Sequence, residues 1–371
     1  MIKILLTTIL MFMTMETFAQ SDSIPRLDSI QTPPAPKMSF WEKAYEVVKE
    51  FSRVDSNYIE DQRYNYTVML QNTNTYESYW FKDEKGYSIR LTPKLSTKFG
   101  PYVGWRWIVL GYTIDFSHLS DGKNKQDFDF SIYSNQVGID IHYRKTGNNY
   151  KIRSLYLGED VNTDVMEDLE FDGFEASIKG LNVYYIFNHK KFSYPAAFSQ
   201  STCQRKSAGS YLMGFSYTRH NINLDAKRLM TLINERMGLE APPEDQMLQS
   251  ATVNYTDISI SAGYAYNWVF ARDWLFGASL SLALGNKRSV GEKEYKRFSF
   301  RDFSFNSLNI DGIGRFGIVW NNTKYYAGMS AILHTYNYSK SQFSTNSTFG
   351  NLNIYFGFNF GNRHRTHKEK K

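Results

Sequence analysis

From about residue 64 to residue 361, apolar and polar side chains change places at every second position, the period of an extended strand rather than a helix. The clearest run is Leu352, Ile354, Phe356, Phe358 and Phe360, separated by Asn353, Tyr355, Gly357 and Asn359. Ile258, Ile260, Ala262, Tyr264, Tyr266, Trp268 and Phe270 alternate with Ser259, Ser261, Gly263, Ala265 and Asn267 in the same way. So do Trp274, Phe276, Ala278, Leu280, Leu282 and Leu284 with Gly277, Ser279, Ser281 and Gly285. A soluble sandwich commonly fills its polar face with Lys, Glu and Thr. Small and amide side chains instead suit a crowded concave wall with lipid on the other side. The expected fold is all-β, an antiparallel transmembrane β-barrel of about 12 strands (range 10–14) with a short N-terminal helix; the alternative is a secreted β-sandwich.

The alternation occupies stretches near 64–71, 75–83, 87–99, 103–117, 127–144, 150–157, 174–189, 209–223, 254–271, 273–287, 305–321, 324–338 and 349–361. Short connections at 271–273 and 321–323 alternate with long ones at 224–253, 288–304 and 339–348, the asymmetry of a barrel with periplasmic turns and outer loops. The count is odd, so 64–71 is expected at the periplasmic mouth instead of across the membrane. Asp225 is placed to cap a helix over 226–237 that Gly238 ends. A folded outer loop is the favoured role for it, ahead of a lid or a plug. Because Arg90, Thr92, Lys94, Ser96 and Lys98 alternate with Ile89, Leu91, Leu95 and Phe99, the cations Arg90, Lys94 and Lys98 are expected to face the lumen, with Arg315. They would favour anions in a narrow pore.

The rest of the chain frames that barrel (64–361). Lys3, the apolar run Ile4 to Met13 and Thr17-Phe18-Ala19 read as a cleavable signal peptide over 1–19, hence an exported, outer-membrane protein of a Gram-negative cell. A Pro-rich polar spacer (20–38) follows. Residues 39–63 then hold an amphipathic helix capped by Ser39, with Phe40, Ala44, Val47, Val48 and Phe51 on one side, and a lead-in. A basic tail closes the chain at 362–371. Charged residues make up 22% of the sequence and mean hydropathy is −0.47, values usual for a soluble protein, but the aromatic share of 16% suits interfacial girdles. The net charge of +6 sits largely in the tail. Expected partners are outer-membrane lipid, the barrel-assembly machinery and an envelope protein; nucleic acid does not fit the compartment. Cys203 is alone, so no intrachain disulfide forms. The seven His residues are scattered, and neither a metal nor a cofactor is expected.

Three stretches carry a family resemblance: Lys98 to Trp107 (KFGPYVGWRW), Tyr143 to Asn148 (YRKTGN) and Phe187 to Gln200 (FNHKKFSYPAAFSQ). Together they resemble an uncharacterised domain-of-unknown-function family of exported Gram-negative barrel proteins. That resemblance implies an outer-membrane barrel and transfers no activity.

The connection from His189 to Lys206 falls on the periplasmic side, where nearly twenty residues are unusual. A plug or a loop folded into the lumen is the favoured reading. A partner-docking loop is one alternative. The other is a hydrolase pairing His189 with Ser193, Ser199 or Ser201, although no Gly-x-Ser-x-Gly elbow or adjacent acid supports it. An enzyme is the less favoured class. A structural barrel or a narrow small-solute pore is preferred to both the hydrolase and an envelope scaffold. Trp105-Arg106-Trp107 reads as interfacial girdle, and the acidic run 158–170 as a solvated loop.

Overall fold

The computed structural model of the protein describes residues 54–83, 85–105, 108–111, 114–115, 126–145, 150–238, 251–289, 308–339 and 343–362. The expected signal peptide, spacer, N-terminal helix and basic tail beyond 362 lie outside the described residues, as do Arg106 and Trp107.

In chain order the strands are β1 (Ile59–Asp61), β2 (Tyr64–Asp83), β3 (Ser88–Pro93), β4 (Ser96–Trp105), β5 (Ile108–Gly111), β6 (Ile114–Asp115), β7 (Gln126–Tyr133), β8 (Val137–Lys145), β9 (Tyr150–Tyr156), β10 (Glu170–Phe171), β11 (Phe174–Ile186), β12 (Thr202–Gln204), β13 (Ala208–Leu224), β14 (Ala251–Ala271), β15 (Trp274–Ser289), β16 (Leu308–Asn321), β17 (Tyr325–Ser339) and β18 (Phe343–Asn362). Among the described residues two α-helices interrupt them, α1 (Tyr194–Phe198) and α2 (Ala226–Met237), with one 3-10 turn at Asp164–Met166. β1 pairs β12; the other sixteen strands form one antiparallel sheet.

β2 is the node of that sheet. One edge pairs β18 along its whole length, from Tyr64 opposite Asn362 to Asp83 opposite Phe343. The other edge is shared: Tyr66 to Thr75 pair β4, and Tyr79 to Lys82 pair β3. From β18 the order runs β17, β16, β15, β14, β13, β11, β8, β7. Counting β5 and β6 as one interrupted column beyond β4, the described wall has twelve columns. Its two ends curl round to one chamber, lined by Lys98 and Tyr102 of β4 and by Ser131 of β7. The molecule is an antiparallel β-barrel.

Several boundaries differ from those the alternation suggests, among them 103–117, whose first residues complete β4 while Ile108–Gly111 pairs back on it as β5. Residues 64–71 and 75–83 are a single strand, so 64–71 lies in the wall and not at its mouth; the unbroken ladder to β18 carries β2 through its polar middle. The stretch 87–99 divides after Pro93, whose ring removes the N–H that a ladder needs. The stretch 127–144 divides at a turn in which Ser134 N donates to Val137 O at 2.9 Å.

The alternation itself stands. On β14, Ile260, Tyr264, Tyr266, Trp268 and Phe270 are exposed on the outer face while Asp257, Ser259, Ser261, Ala265 and Asn267 are buried inside. β15 exposes Trp274, Phe276, Leu280, Leu282 and Leu284 in the same band, and β18 exposes Leu352, Ile354, Phe356, Phe358 and Phe360. Rings gather toward the end that bears the short turns: Trp268, Phe270 and Trp274 stand 5.4 and 6.0 Å apart in sequence, Tyr211 meets Tyr264 at 5.2 Å, and Tyr66 stacks on Phe360 at 5.5 Å. An apolar belt with aromatic edges is the outer surface of a transmembrane barrel.

The opposite end, which bears the long connections, has a true hydrophobic core. Tyr79, Phe81, Ile89, Leu91, Tyr150 and Phe174 pack there with Leu229 and Ile233 of α2. Asp225 caps α2 by accepting from Arg228 N at 3.1 Å, and Gly238 ends it at φ 65°, its N–H donating to Asn234 O at 2.9 Å. Burying Leu229 and Ile233 stabilises this cap by roughly 1.5–3 kcal/mol each.

Candidate functional site

The connection between β11 and β13 turns inward and fills the turn end of the lumen. Phe192 and Tyr194 pack on Tyr184, Ile186 and Leu212 of the wall, and Ala196 and Ala197 pack on Leu275, Val319, Tyr326 and Tyr355. Two inward glycines make room for α1: a Cβ on Gly277 would stand 2.7 Å from the Ala197 methyl, and one on Gly317 would stand 3.1 Å from Ala197 O. Polar bonds fix the same segment to the wall. Asn267 Nδ2 donates to Ser193 O at 2.7 Å, Tyr194 OH to Ser279 Oγ at 2.9 Å, and Gln200 Nε2 to Tyr355 OH at 2.7 Å. Gln204 Nε2 donates to Lys191 O at 2.6 Å and Lys206 O at 2.8 Å, closing the loop on itself. The segment is an internal plug.

The lead-in to the barrel clamps this plug. β1 lies antiparallel to β12, with Glu60 opposite Cys203. Arg205 bridges Glu60 and Asp273, each at 2.5 Å, and Arg63 makes a further ion pair with Glu60. Burial alone would raise the Glu60 carboxyl, but hydrogen bonds and charge from Arg205 and Arg63 outweigh it and hold the group below its ordinary value. Burial pushes the Cys203 thiol up to about 12. A thiol that stays protonated is a poor nucleophile.

The hydrolase candidates sit in this segment. Ser193 is fully buried; its Oγ caps α1 by accepting from Ala196 N at 3.2 Å and shares a proton with Thr202 Oγ1 at 2.6 Å. Ser199 Oγ reaches Ser201 Oγ at 3.2 Å and Pro195 O at 3.4 Å. The His189 ring bonds Gln136 Nε2 at 2.8 Å, and none of the three serines bonds it among the described residues.

The four cations expected in the lumen separate into two groups. Arg315 is deep inside, 2% exposed, paired with Asp140 at 2.5 Å, with its guanidinium over the rings of Tyr184 and Tyr194. Lys98 lines the chamber. Arg90 stands on the outside, its Nε donating to Ser78 Oγ at 2.9 Å, and Lys94 is exposed, paired with Glu170 at 2.7 Å. At this end the apolar set of β3, Ile89 and Leu91, points into the cap core, so the polar set points out.

Two further charge pairs that sequence did not single out also lie in the lumen. Arg144 lies 3.4 Å from Glu77, donates to Asn351 Oδ1 at 3.2 Å and covers the Phe349 ring. Lys287 pairs with Asp311 at 2.7 Å beneath Tyr255 and Tyr336. Each acid and its base lie on separate strands. Only the barrel's register brings them together.

Between plug and cap a chamber of about 390 Å3 remains. Gln71, Thr73 and Thr75 of β2 face it, with His142 of β8 and His334, Phe349, Asn351 and Asn353 of β17 and β18. Gln71 Nε2 and Thr73 Oγ1 both donate to Asn353 Oδ1, at 3.2 and 2.9 Å. Among the described residues, no group of His, Cys, Asp and Glu is arranged to hold a metal ion.

Residues 53–360 match the family model described as Domain of unknown function (DUF4421). The chain belongs to this family. No curated protein matches the DUF4421 chain in sequence. Solved structures similar to it include the outer membrane protease OmpT from Escherichia coli, at 7% identity and a TM-score of 0.30, over 80% of this chain and 97% of that one. The toluene transporter TodX of P. putida is similar at 8% and 0.22, over 81% and 91%. The outer membrane protein OprG from Pseudomonas aeruginosa is similar at 9% and 0.24, over 81% and 98%. At identities and scores this low no residue of DUF4421 can be matched to a residue of these proteins.

Proposed function

We propose that this DUF4421 protein is an outer-membrane barrel that is closed as folded, a structural barrel rather than an open pore, with its turn end toward the periplasm. The observation that carries this reading is the plug: α1 rests directly on Gly277 and Gly317, and Tyr194, Gln200 and Asn267 tie it to the wall. The hydrophobic cap, in which Leu229 and Ile233 of α2 pack with Tyr79, Tyr150 and Phe174, supports it from the other end. The outer apolar belt and its aromatic edge support residence in a bilayer. Docking of an envelope protein through residues 190–208 is less well supported, since Tyr194, Ala196, Ala197 and Cys203 are turned inward.

Conductance across a planar bilayer tests the proposal. Full-length protein is expected to be silent, and a variant lacking residues 194–204 to conduct in steps. Steady conductance by the intact protein would show that the plug does not close the barrel.

A further inference from the structure

Toward the cap end, the outer face carries a row of side chains that closing the barrel does not use. Cross-strand pairing sets Phe128 of β7 opposite Tyr143 of β8, Tyr143 opposite Lys179 of β11, Lys179 opposite Arg219 of β13, and Arg219 opposite Thr256 of β14. Lys179 and Arg219 are exposed, whereas their chain neighbours Ile178, Gly180, Thr218 and His220 are buried, so both cations point away from the lumen. Lys145, partly exposed, stands one position nearer the cap on the same face, opposite Ser177. Among the described residues none of these three cations makes an ion pair; the Lys179 ammonium lies over the Tyr143 ring at 5.1 Å. On β11 the outward carboxylate on this side is Glu175, four residues from Lys179 and so roughly 13 Å along the strand.

Like charges directly opposite on neighbouring strands repel, and the depth of this row sharpens the effect. Along β13 the outward positions are Tyr211, Met213, Phe215 and Tyr217, all exposed, and then Arg219. Tyr211 belongs to the aromatic edge at the turn end. From there to Arg219 a tilted strand climbs about 20 Å along the membrane normal, close to the height of an apolar belt about 25 Å tall. The next row down, Ile141, Leu181, Tyr217 and Ile258 in register, is apolar and continuous with that belt. The cations therefore stand at head-group level, immediately above acyl chains.

We propose that Lys179, Arg219 and Lys145 bind the phosphate of a phosphorylated glycolipid of the outer leaflet, of the lipid A class, with its acyl chains on the apolar row below. Charge complementarity selects the phosphate: an anion between Lys179 and Arg219 removes a repulsion that no described carboxylate offsets, and a guanidinium offers a phosphate two parallel donors. Continuity with the belt selects a lipid over a free ion. The proposal rests on the orientation given above, with the turn end toward the periplasm. In a reversed barrel the same row would face the inner leaflet and its glycerophospholipids.

Equilibrium binding to the full chain in a nonionic detergent, followed by thermophoresis, tests this with three probes: bisphosphorylated lipid A, dephosphorylated lipid A and phosphatidylglycerol. Lipid A should saturate a site, its dephosphorylated form should bind about tenfold more weakly, and added salt should weaken the phosphorylated form alone. Lys179→Gln combined with Arg219→Gln should weaken lipid A binding about tenfold in protein that still runs compact when unboiled, and Arg219→Gln alone about threefold. Lys324→Gln, at the turn end, should leave it unchanged. Equal binding of the two forms of lipid A, or binding that survives both substitutions, overturns the proposal and leaves the orientation untouched. Phosphatidylglycerol bound in preference to lipid A, and lost in the same double variant, overturns it by reversing the orientation. Bilayer conductance is a separate readout, so a barrel that conducts leaves this result standing and the reverse.

Discussion

Arg315 shows how a single residue holds the lumen together. It is one of the largest fully buried side chains, and its Asp140 partner also receives Ser131 Oγ at 2.8 Å and Asn182 Nδ2 at 3.2 Å. Removing the cation alone leaves a buried carboxylate with neutral donors only. Arg315→Met is therefore expected to destabilise the barrel by about 3–5 kcal/mol. The temperature at which unboiled protein loses its compact band on electrophoresis measures this. Adding Asp140→Asn should recover most of the loss; if the double variant is as unstable as the single one, the pair is not the reason. Arg90 and Lys94 carried the same sequence signal as Arg315, yet they stand outside. Period two reports that a strand has two faces and not which one is wet. In the membrane belt the apolar set meets lipid, whereas at the cap Ile89 and Leu91 meet a protein core, and nothing local distinguishes the two cases.

At the scale of elements, the plug and its clamp behave as one unit. The folded Glu60 carboxyl lies below its ordinary value, so its contribution is fully present above the unfolded value and lost as pH falls through the folded one. Lowering pH through the acidic range should loosen β1 from β12 and expose Cys203, which is 4% exposed. The rate of labelling by a dipyridyl disulfide, which stays reactive in acid, follows that opening. Labelling of the parent should accelerate on acidification, and Glu60→Gln should label faster at neutral pH and lose most of the pH dependence. Equal rates at all pH values in the parent would mean that Glu60 does not hold the plug. The seat of α1 gives an independent handle: Gly277→Val sets two methyl groups where Ala197 already lies and should raise labelling at neutral pH without changing Glu60. Loop length alone marks residues 189–206 as something other than a turn. Its seat could not be read, because Gly277 and Gly317 look like ordinary small wall residues until pairing sets them side by side across β15 and β16.

For the whole molecule, the architecture is legible because one long-range fact repeats along the chain: an apolar set facing out, a small and polar set facing in. That repetition supplies the barrel and the short turns, whereas the strand boundaries and the ion pairs Arg144 with Glu77 and Lys287 with Asp311 depend on pairing and register and leave no trace in period two. Leu280, Leu282, Leu284, Ile354 and Phe356 stand in the open on the outer face, with further exposed rings and aliphatic side chains on β13 and β14, where a soluble monomer keeps its largest apolar patch to about 300–600 Å2. In water that belt would drive association; in lipid it costs nothing and fixes the depth of the barrel. The protein is therefore expected to fractionate with outer membranes, to need detergent for extraction, and to run faster unboiled than boiled. Placing a charge at the centre of the belt checks that lipid, and not another protein, covers it. Leu282→Arg should destabilise the inserted barrel by about 2–4 kcal/mol, while Arg at Tyr325, beside the turn end, should cost about 0–1 kcal/mol. Such a depth gradient is the mark of a bilayer. Equal penalties at the two sites, or a soluble protein that tolerates both, would assign the belt to a protein partner.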